Sequence, residues 1–231
     1  MKHSKRYREL VKDLDKDQLR EPKDAIDVVK SMAKAKFDET IDVVFNLGID
    51  PRHADQQLRG TLELPNGTGK DVKVVVVTQS DKHEEAKKAG ADFVGEDDII
   101  EKIQGGWFDF DKLIATPNVM SKIGKLGRVL GSKGLMPNPK SGTVSNDISA
   151  AVSAFKKGRV GYRNDKYGNI HIIIGKASFD ADKLYENFIS VYDTLLKAKP
   201  SKAKGVYMKN IGISASMSPG VLVEPVKQKW N

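Results

Sequence analysis

The sequence predicts an α/β protein of two domains, one inserted into the other. Three observations carry this. "IDVVFNLGI" sets Ile41, Val43, Phe45, Leu47 and Ile49 in strict alternation, the mark of a strand buried on one face. "VKVVVV" (72–77) is instead a continuous apolar run, as in a parallel strand covered on both faces. After residue 158 the alternating pattern returns with "NIHIIIG". The simplest arrangement is a doubly wound α/β domain at 67–158, inserted into a domain built from residues 1–66 and 159–231.

The elements follow in order. Tyr7, Leu10, Val11 and Leu14 fall at helical spacing, and a second helix starts near Pro22 with Ala25, Ile26, Val29, Met32 and Ala33 on one face. "LPNGTGK" (64–70) is turn-forming. Beyond it, "SDKHEEAKKAG" predicts a helix capped by Ser80 and stopped by Gly90; "ADFVG", "DDIIEKIQGG" and "DKLIATP" continue the alternation of strand and helix. In the last part Ser178 is the expected cap of a long helix that turns Leu184, Phe188, Tyr192 and Leu195 inward and ends before Pro200. "VYMKNIGISASM" and "VLVEP" are the closing strands.

Composition narrows the function. The 231 residues include no cysteine, which excludes disulfides, iron–sulfur clusters and thiolate zinc sites. The histidines at 3, 53, 83 and 171 stand far apart, so no metal site and no cofactor is expected. No apolar run approaches the roughly 18 residues of a membrane span, and "MKHSKRYREL" lacks the apolar core of a signal peptide, so a cytoplasmic protein without membrane contact is expected. The net charge of +8, with a pI near 9.4, points to a polyanionic partner. That charge is segregated. Residues 112–146 hold six Lys or Arg and no acid, residues 194–223 five Lys and no acid, and residues 71–111 eleven acids against five bases.

The glycine-rich stretch 121–146, "SKIGKLGRVLGSKGLMPNPKSGTVSN", tests the enzyme alternative. "GRVLGSKG" has the wrong spacing for a nucleotide-phosphate loop; in "LPNGTGKD", Leu64 and Asp71 stand where Gly and Ser or Thr belong. No G-x-G-x-x-G follows the valine-rich strand, and Ser, His and Asp form no nucleophile context. His171, mid-strand, is a packing or hydrogen-bonding residue rather than a catalyst. The chain is therefore expected to have no catalytic residues and no small-molecule substrate. The glycines are expected to shape a rigid surface loop, stiffened by Pro137 and Pro139, whose lysines meet phosphates as point charges.

Three further stretches suit RNA when taken together. "KAKFDET" (34–40) sets Phe37 beside two lysines; alone, that phenylalanine is better read as core. "RNDKYGNIHIIIGKASF" (163–179) gathers Arg163, Lys166 and Lys176 around one strand, as a solvated hairpin or a phosphate contact. "SASMSPG" (214–220) ends a strand in small hydroxyl residues, which either bond 2′-hydroxyls or simply turn the chain. A structural RNA-binding protein, a nucleotide-dependent enzyme and a non-specific basic RNA binder or chaperone remain as classes.

In order, "KFDET", "LGIDPRHADQQLRG", "ADFVG", "GRVLGSKGLMPNPKSGTV", "GRVGYRNDKYGNIH", "GKASF" and "SASMSPGV" resemble the L-one family of large-subunit ribosomal proteins, over residues 2 to 226. The basic start "KHSKRYR" is similar to its bacterial branch. The resemblance implies a split βαβ domain made of both chain ends and an inserted Rossmann-like three-layer domain. It implies binding to the mobile stalk of large-subunit ribosomal RNA near the tRNA exit site, help in releasing deacylated exit-site tRNA, and repression of the protein's own mRNA. By resemblance the main RNA surface comprises Lys36, Phe37, Thr40, Asp165, Lys166, Lys176, Ser178, Ser216, Met217 and Ser218; Arg128, Lys133 and Lys140 make secondary contacts. Two departures stand out. Ser218 replaces a glycine, so the backbone is expected to approach RNA less closely. Lys133 replaces an arginine and loses its rigid fork.

Overall fold

The computed structural model describes residues 4–12 and 14–225; Lys2 and His3 of the basic start, and the end of the predicted terminal range, lie outside the described residues. The first half contains α1 (Lys5–Lys12), α2 (Pro22–Met32), β1 (Thr40–Leu47), β2 (Arg59–Glu63), β3 (Val74–Val77), α3 (His83–Lys88), β4 (Phe93–Gly95), α4 (Asp97–Gln104) and β5 (Lys112–Ala115). The second contains α5 (Met120–Gly124), α6 (Gly127–Ser132), α7 (Ile148–Lys156), β6 (Arg159–Arg163), β7 (Asn169–Lys176), α8 (Ala181–Lys197), β8 (Met208–Ala215) and β9 (Val221–Val223). The fold is mixed α/β. It divides into two compact units, one holding the described residues up to Gly69 and from Tyr162 onward, the other Lys70–Gly161.

The first unit is built on an antiparallel sheet of order β7-β1-β8-β9. Alternation along β1 buries Ile41, Val43, Phe45 and Leu47 on one face and leaves Thr40, Asp42, Val44 and Asn46 half-buried on the other. The buried face receives α8. Phe45 stacks on Phe188 with ring centroids 6.0 Å apart, and Tyr192 completes the aromatic group. Helix α2 buries Ala25, Ile26, Val29 and Met32. By contrast, α1 has no fully buried residue, and Tyr7, Leu10 and Val11 are half-buried.

A single buried amide joins a turn to this core. Asn187 of α8 is fully buried; its Oδ1 accepts from the Asn66 amide at 3.0 Å, and its Nδ2 donates to the carbonyls of Gly67 at 3.0 Å and Ile174 at 2.7 Å. The expected "LPNGTGK" turn is thus held by a side chain more than a hundred residues away.

The second unit has a parallel sheet of order β4-β3-β5. All four valines of β3 are buried, as the continuous apolar run predicted. Val75 and Val77 face α4, α5 and α6 through Ile99, Ile103, Ile123 and Leu130, while Val74 and Val76 face α3 and α7 through Ala86, Ile148, Val152 and Phe155. Helices therefore cover both faces.

Three sequence expectations need correction. Ser80 does not cap a helix: it opens a short 3-10 turn, and α3 begins only at His83. Ser178 does not cap α8 either. The helix starts at Ala181 with Asp180 at its cap position, and the Ser178 hydroxyl is committed to Asp38. The glycine-rich stretch is not a loop. Its first half forms α5 and α6, because buried Ile123, Leu126 and Leu130 supply tertiary packing that offsets glycine's poor helix propensity. Gly134 then ends α6 at φ +70°, with its amide on the Gly131 carbonyl and the Leu135 amide on the Leu130 carbonyl, the paired bonds of a left-handed helix stop.

Replacing Asn187 by Leu keeps the bulk but leaves one amide and two carbonyls unpaired. Urea denaturation should show the unfolding free energy falling by about 2–4 kcal/mol with an unchanged slope, given roughly 1–3 kcal/mol per buried group left unsatisfied.

Candidate nucleic-acid interface

Antiparallel pairing brings three distant segments to the start of β1. The register sets Thr40 opposite Lys176 on β7 and Ile41 opposite Ala215 on β8. The loop after α2, the loop after β7 and the turn after β8 therefore meet. Phe37 is 55% exposed and Met217 50% exposed, so the core reading of Phe37 is wrong. Lys36, Ser178 and Ser216 are also exposed. Two large apolar side chains beside lysines and small hydroxyls make a surface for stacking, 2′-hydroxyl bonding and phosphate contact.

Hydrogen bonds hold the segments in place. The Thr40 amide donates to Ser216 Oγ at 3.2 Å, and the Ser216 amide donates back to the Thr40 carbonyl at 3.0 Å. Lys176 Nζ donates to Thr40 Oγ1 at 2.8 Å. Ser178 donates its amide and its hydroxyl to the two oxygens of Asp38, at 3.0 and 2.8 Å. A hydroxyl that donates inward keeps lone pairs for an incoming 2′-hydroxyl. Ser218 accepts the Ala215 amide on Oγ at 2.9 Å and donates its own amide to the Ala215 carbonyl at 3.1 Å. The residue that departs from the family pattern thus closes the turn itself.

Asp165 and Lys166 are not brought to this patch. They lie in the loop before β7, where the Gly168 carbonyl accepts the amide of Leu47, at the far end of β1. Seven strand steps separate Thr40 from Leu47, about 23 Å at roughly 3.3 Å per residue. There Asp165 holds its own loop, accepting the Tyr167 and Asn169 amides, both at 2.8 Å, and Asn169 Nδ2 at 3.0 Å. Lys166 sits over the exposed Tyr167 ring, 5.0 Å from its centroid. The residues expected on one surface thus lie at opposite ends of one sheet.

In the second unit Arg128 stands exposed on α6, Lys133 just past its end and Lys140 in a following turn. Lys133 Nζ lies 4.5 Å from the Phe108 ring centroid. The acid-free run is not acid-free in space. Lys122 pairs at 2.8 Å with both Glu96 and Asp97, whose hydrogen bonds raise its ammonium above the ordinary lysine value. Burial of Lys112 pushes its amine down. Lys125, Arg128, Lys133 and Lys140 remain as the outward positive set.

Sequence reasoning missed three contributors. Asp38 and Glu39 sit inside the motif "KFDET", where carboxylates carried no recognised role; their partners, Ser178 and Met217, are supplied only by the fold. Arg6 of α1 donates to the Met217 carbonyl at 3.3 Å, a contact no local pattern announces.

With this geometry in hand, known proteins supply the family. Residues 29–219 match the Ribosomal protein L1p/L10e family. The chain belongs to it. It is also 52% identical over 226 residues to the large ribosomal subunit protein uL1 of Cutibacterium acnes, covering 98% of this chain and 97% of that relative. Membership makes it a ribosomal protein, a structural component and not an enzyme, placed with the ribosome in the bacterial cytoplasm.

The Asp165 loop has a defined pH response. Partial burial alone would raise its carboxyl, but the hydrogen bonds from Asn169 and Tyr167 prevail and hold it below the ordinary value of 3.8. A depressed folded value means the loop's stabilisation is complete above that ordinary value and is lost as pH falls through the folded one. Protection of the Tyr167 and Asn169 amides, taken relative to their intrinsic base-catalysed exchange at each pH, should therefore be flat from neutrality to about pH 5 and fall only in stronger acid.

Proposed function

We propose that the protein is a structural constituent of the large ribosomal subunit that binds the mobile stalk of large-subunit ribosomal RNA near the tRNA exit site. It assists release of deacylated tRNA there and represses translation of its own mRNA through a similarly folded site. The first unit is the RNA-binding split βαβ domain, and Lys70–Gly161 is an inserted Rossmann-like domain. The sheet orders β7-β1-β8-β9 and β4-β3-β5, with helices on both faces of the second, support this division.

The observation that carries the RNA reading is the exposure of Phe37 and Met217 at one end of the sheet, flanked by Lys36, Lys176, Ser178 and Ser216. Exposed apolar groups rimmed by polar residues are the usual mark of an interaction site. Similarity to a large-subunit protein over nearly the whole chain supports the partner; the tRNA and mRNA roles rest on the family resemblance. Lys125, Arg128, Lys133 and Lys140 add electrostatic contacts from the second unit.

Binding to a stalk-RNA fragment and to an unrelated structured RNA of equal length, across a salt series, tests the reading. The stalk fragment should stay bound at salt that releases the control; joint release would leave a non-specific basic RNA binder or chaperone. Phe37→Ala and Met217→Ala should each cost the stalk complex about 1–3 kcal/mol, the scale of one stacked base, with no loss of thermal stability. Deleting residues 70–161 should leave most of the stalk affinity, and a collapse of binding in a folded deletion protein would move specificity to the second unit. Lys122→Ala should not change the salt slope, whereas Lys133→Ala should reduce it by roughly one phosphate contact.

A further inference from the structure

We infer that Glu39 is a positioning residue of this patch: its single buried carboxylate sets the spacing between Phe37 and Met217. The inference rests on the reading above that the patch binds folded RNA.

Glu39 is 1% exposed. Its Oε1 accepts the Ala35 amide at 2.9 Å, closing the short loop that carries Lys36 and Phe37. Its Oε2 accepts the Met217 amide at 2.8 Å, fixing the residue whose side chain is the other apolar contact. The carbonyl of Glu39 accepts from Ala177 at 2.8 Å and so holds the segment leading to Ser178. One residue therefore touches all three segments of the patch, with one carboxylate oxygen assigned to each exposed apolar side chain.

The chemistry requires a carboxylate of this length. Both partners are backbone N–H donors, and a carboxylate presents acceptors on both sides. Glutamine of the same shape offers one oxygen and one amino group, so one N–H would face a donor in a buried site. Aspartate is one methylene shorter and cannot span both amides. Ala35 and Met217 lie outside the helices and strands, so the sheet's own ladders do not need these two bonds. That separates positioning of the patch from support of the fold.

The test compares wild type, Glu39→Gln, Met217→Ala and the double variant. Each is measured for binding to the stalk fragment and to the unrelated RNA, and for amide exchange by NMR. In free wild type the Ala35 and Met217 amides should exchange slowly. In Glu39→Gln both should accelerate while Ile172 and Ile213 of the sheet stay protected. Stalk affinity should then fall about tenfold, the scale of one lost bond to a charged acceptor, and affinity for the control should hold. Because Glu39 acts through Met217, its loss in the Met217→Ala background should be clearly smaller than in wild type. Wild-type affinity in a folded Glu39→Gln, or full additivity in the double variant, would overturn the assignment. If Glu39→Gln does not fold, wild-type exchange decides: open-loop rates at Ala35 and Met217 would sink it. Wild type binding both RNAs alike is a different failure, which removes the RNA reading and this role with it.

Discussion

Strand β1 is hydrogen-bonded along both edges, to β7 on one side and β8 on the other, and carries Ile41, Val43, Phe45 and Leu47 into the core. A slip of one residue would turn all four outward, so burial of this face determines the register. The register in turn sets Thr40 beside Lys176 and Ile41 beside Ala215, and the exposed patch at this end of the sheet follows from those pairings. Phe45 stacked on Phe188 and the exposed Lys36 are thus linked through one strand. The exposed patch is the solvent end of a packing solution.

The same logic explains why small polar groups matter at that end. The strands' own ladder bonds run out near Thr40, and side chains finish the job: Asp38 for Ser178, Glu39 for Ala35 and Met217, Ser216 for Thr40, Ser218 for Ala215. The loops these bonds close carry the exposed Lys36, Phe37, Ser178 and Met217. A preorganised surface of this kind loses less entropy on meeting a folded RNA than flexible loops would.

Charge behaves differently from burial. Along the chain, 112–146 is wholly basic, yet in space Lys122 is claimed by Glu96 and Asp97 from the acidic stretch before it. Linear segregation therefore overstated the positive field of the second unit, and the effective set is the smaller group on and around α6. The glycines in this region also changed meaning. Gly124, Gly127 and Gly131 lie in helices that buried leucine and isoleucine side chains stabilise, whereas Gly134 at φ +70° and Gly142 at φ +65° are needed for their backbone conformation.

Much of the fold was legible because its signals are local and periodic. Alternation marked β1 and β7, the valine run marked β3, and helical spacing marked α2 and α8, since each pattern states which side of an element meets the core. The family motifs likewise named Phe37, Lys176, Ser216 and Met217 as candidates. What the linear chain could not state was proximity. It did not separate Asp165 and Lys166 from the patch, release Ser178 from a helix cap, expose Phe37, or give Glu39 its two amide partners. Those outcomes depend on which residues lie opposite one another across the sheet and which buried groups need a partner, and only the packed tertiary structure decides that.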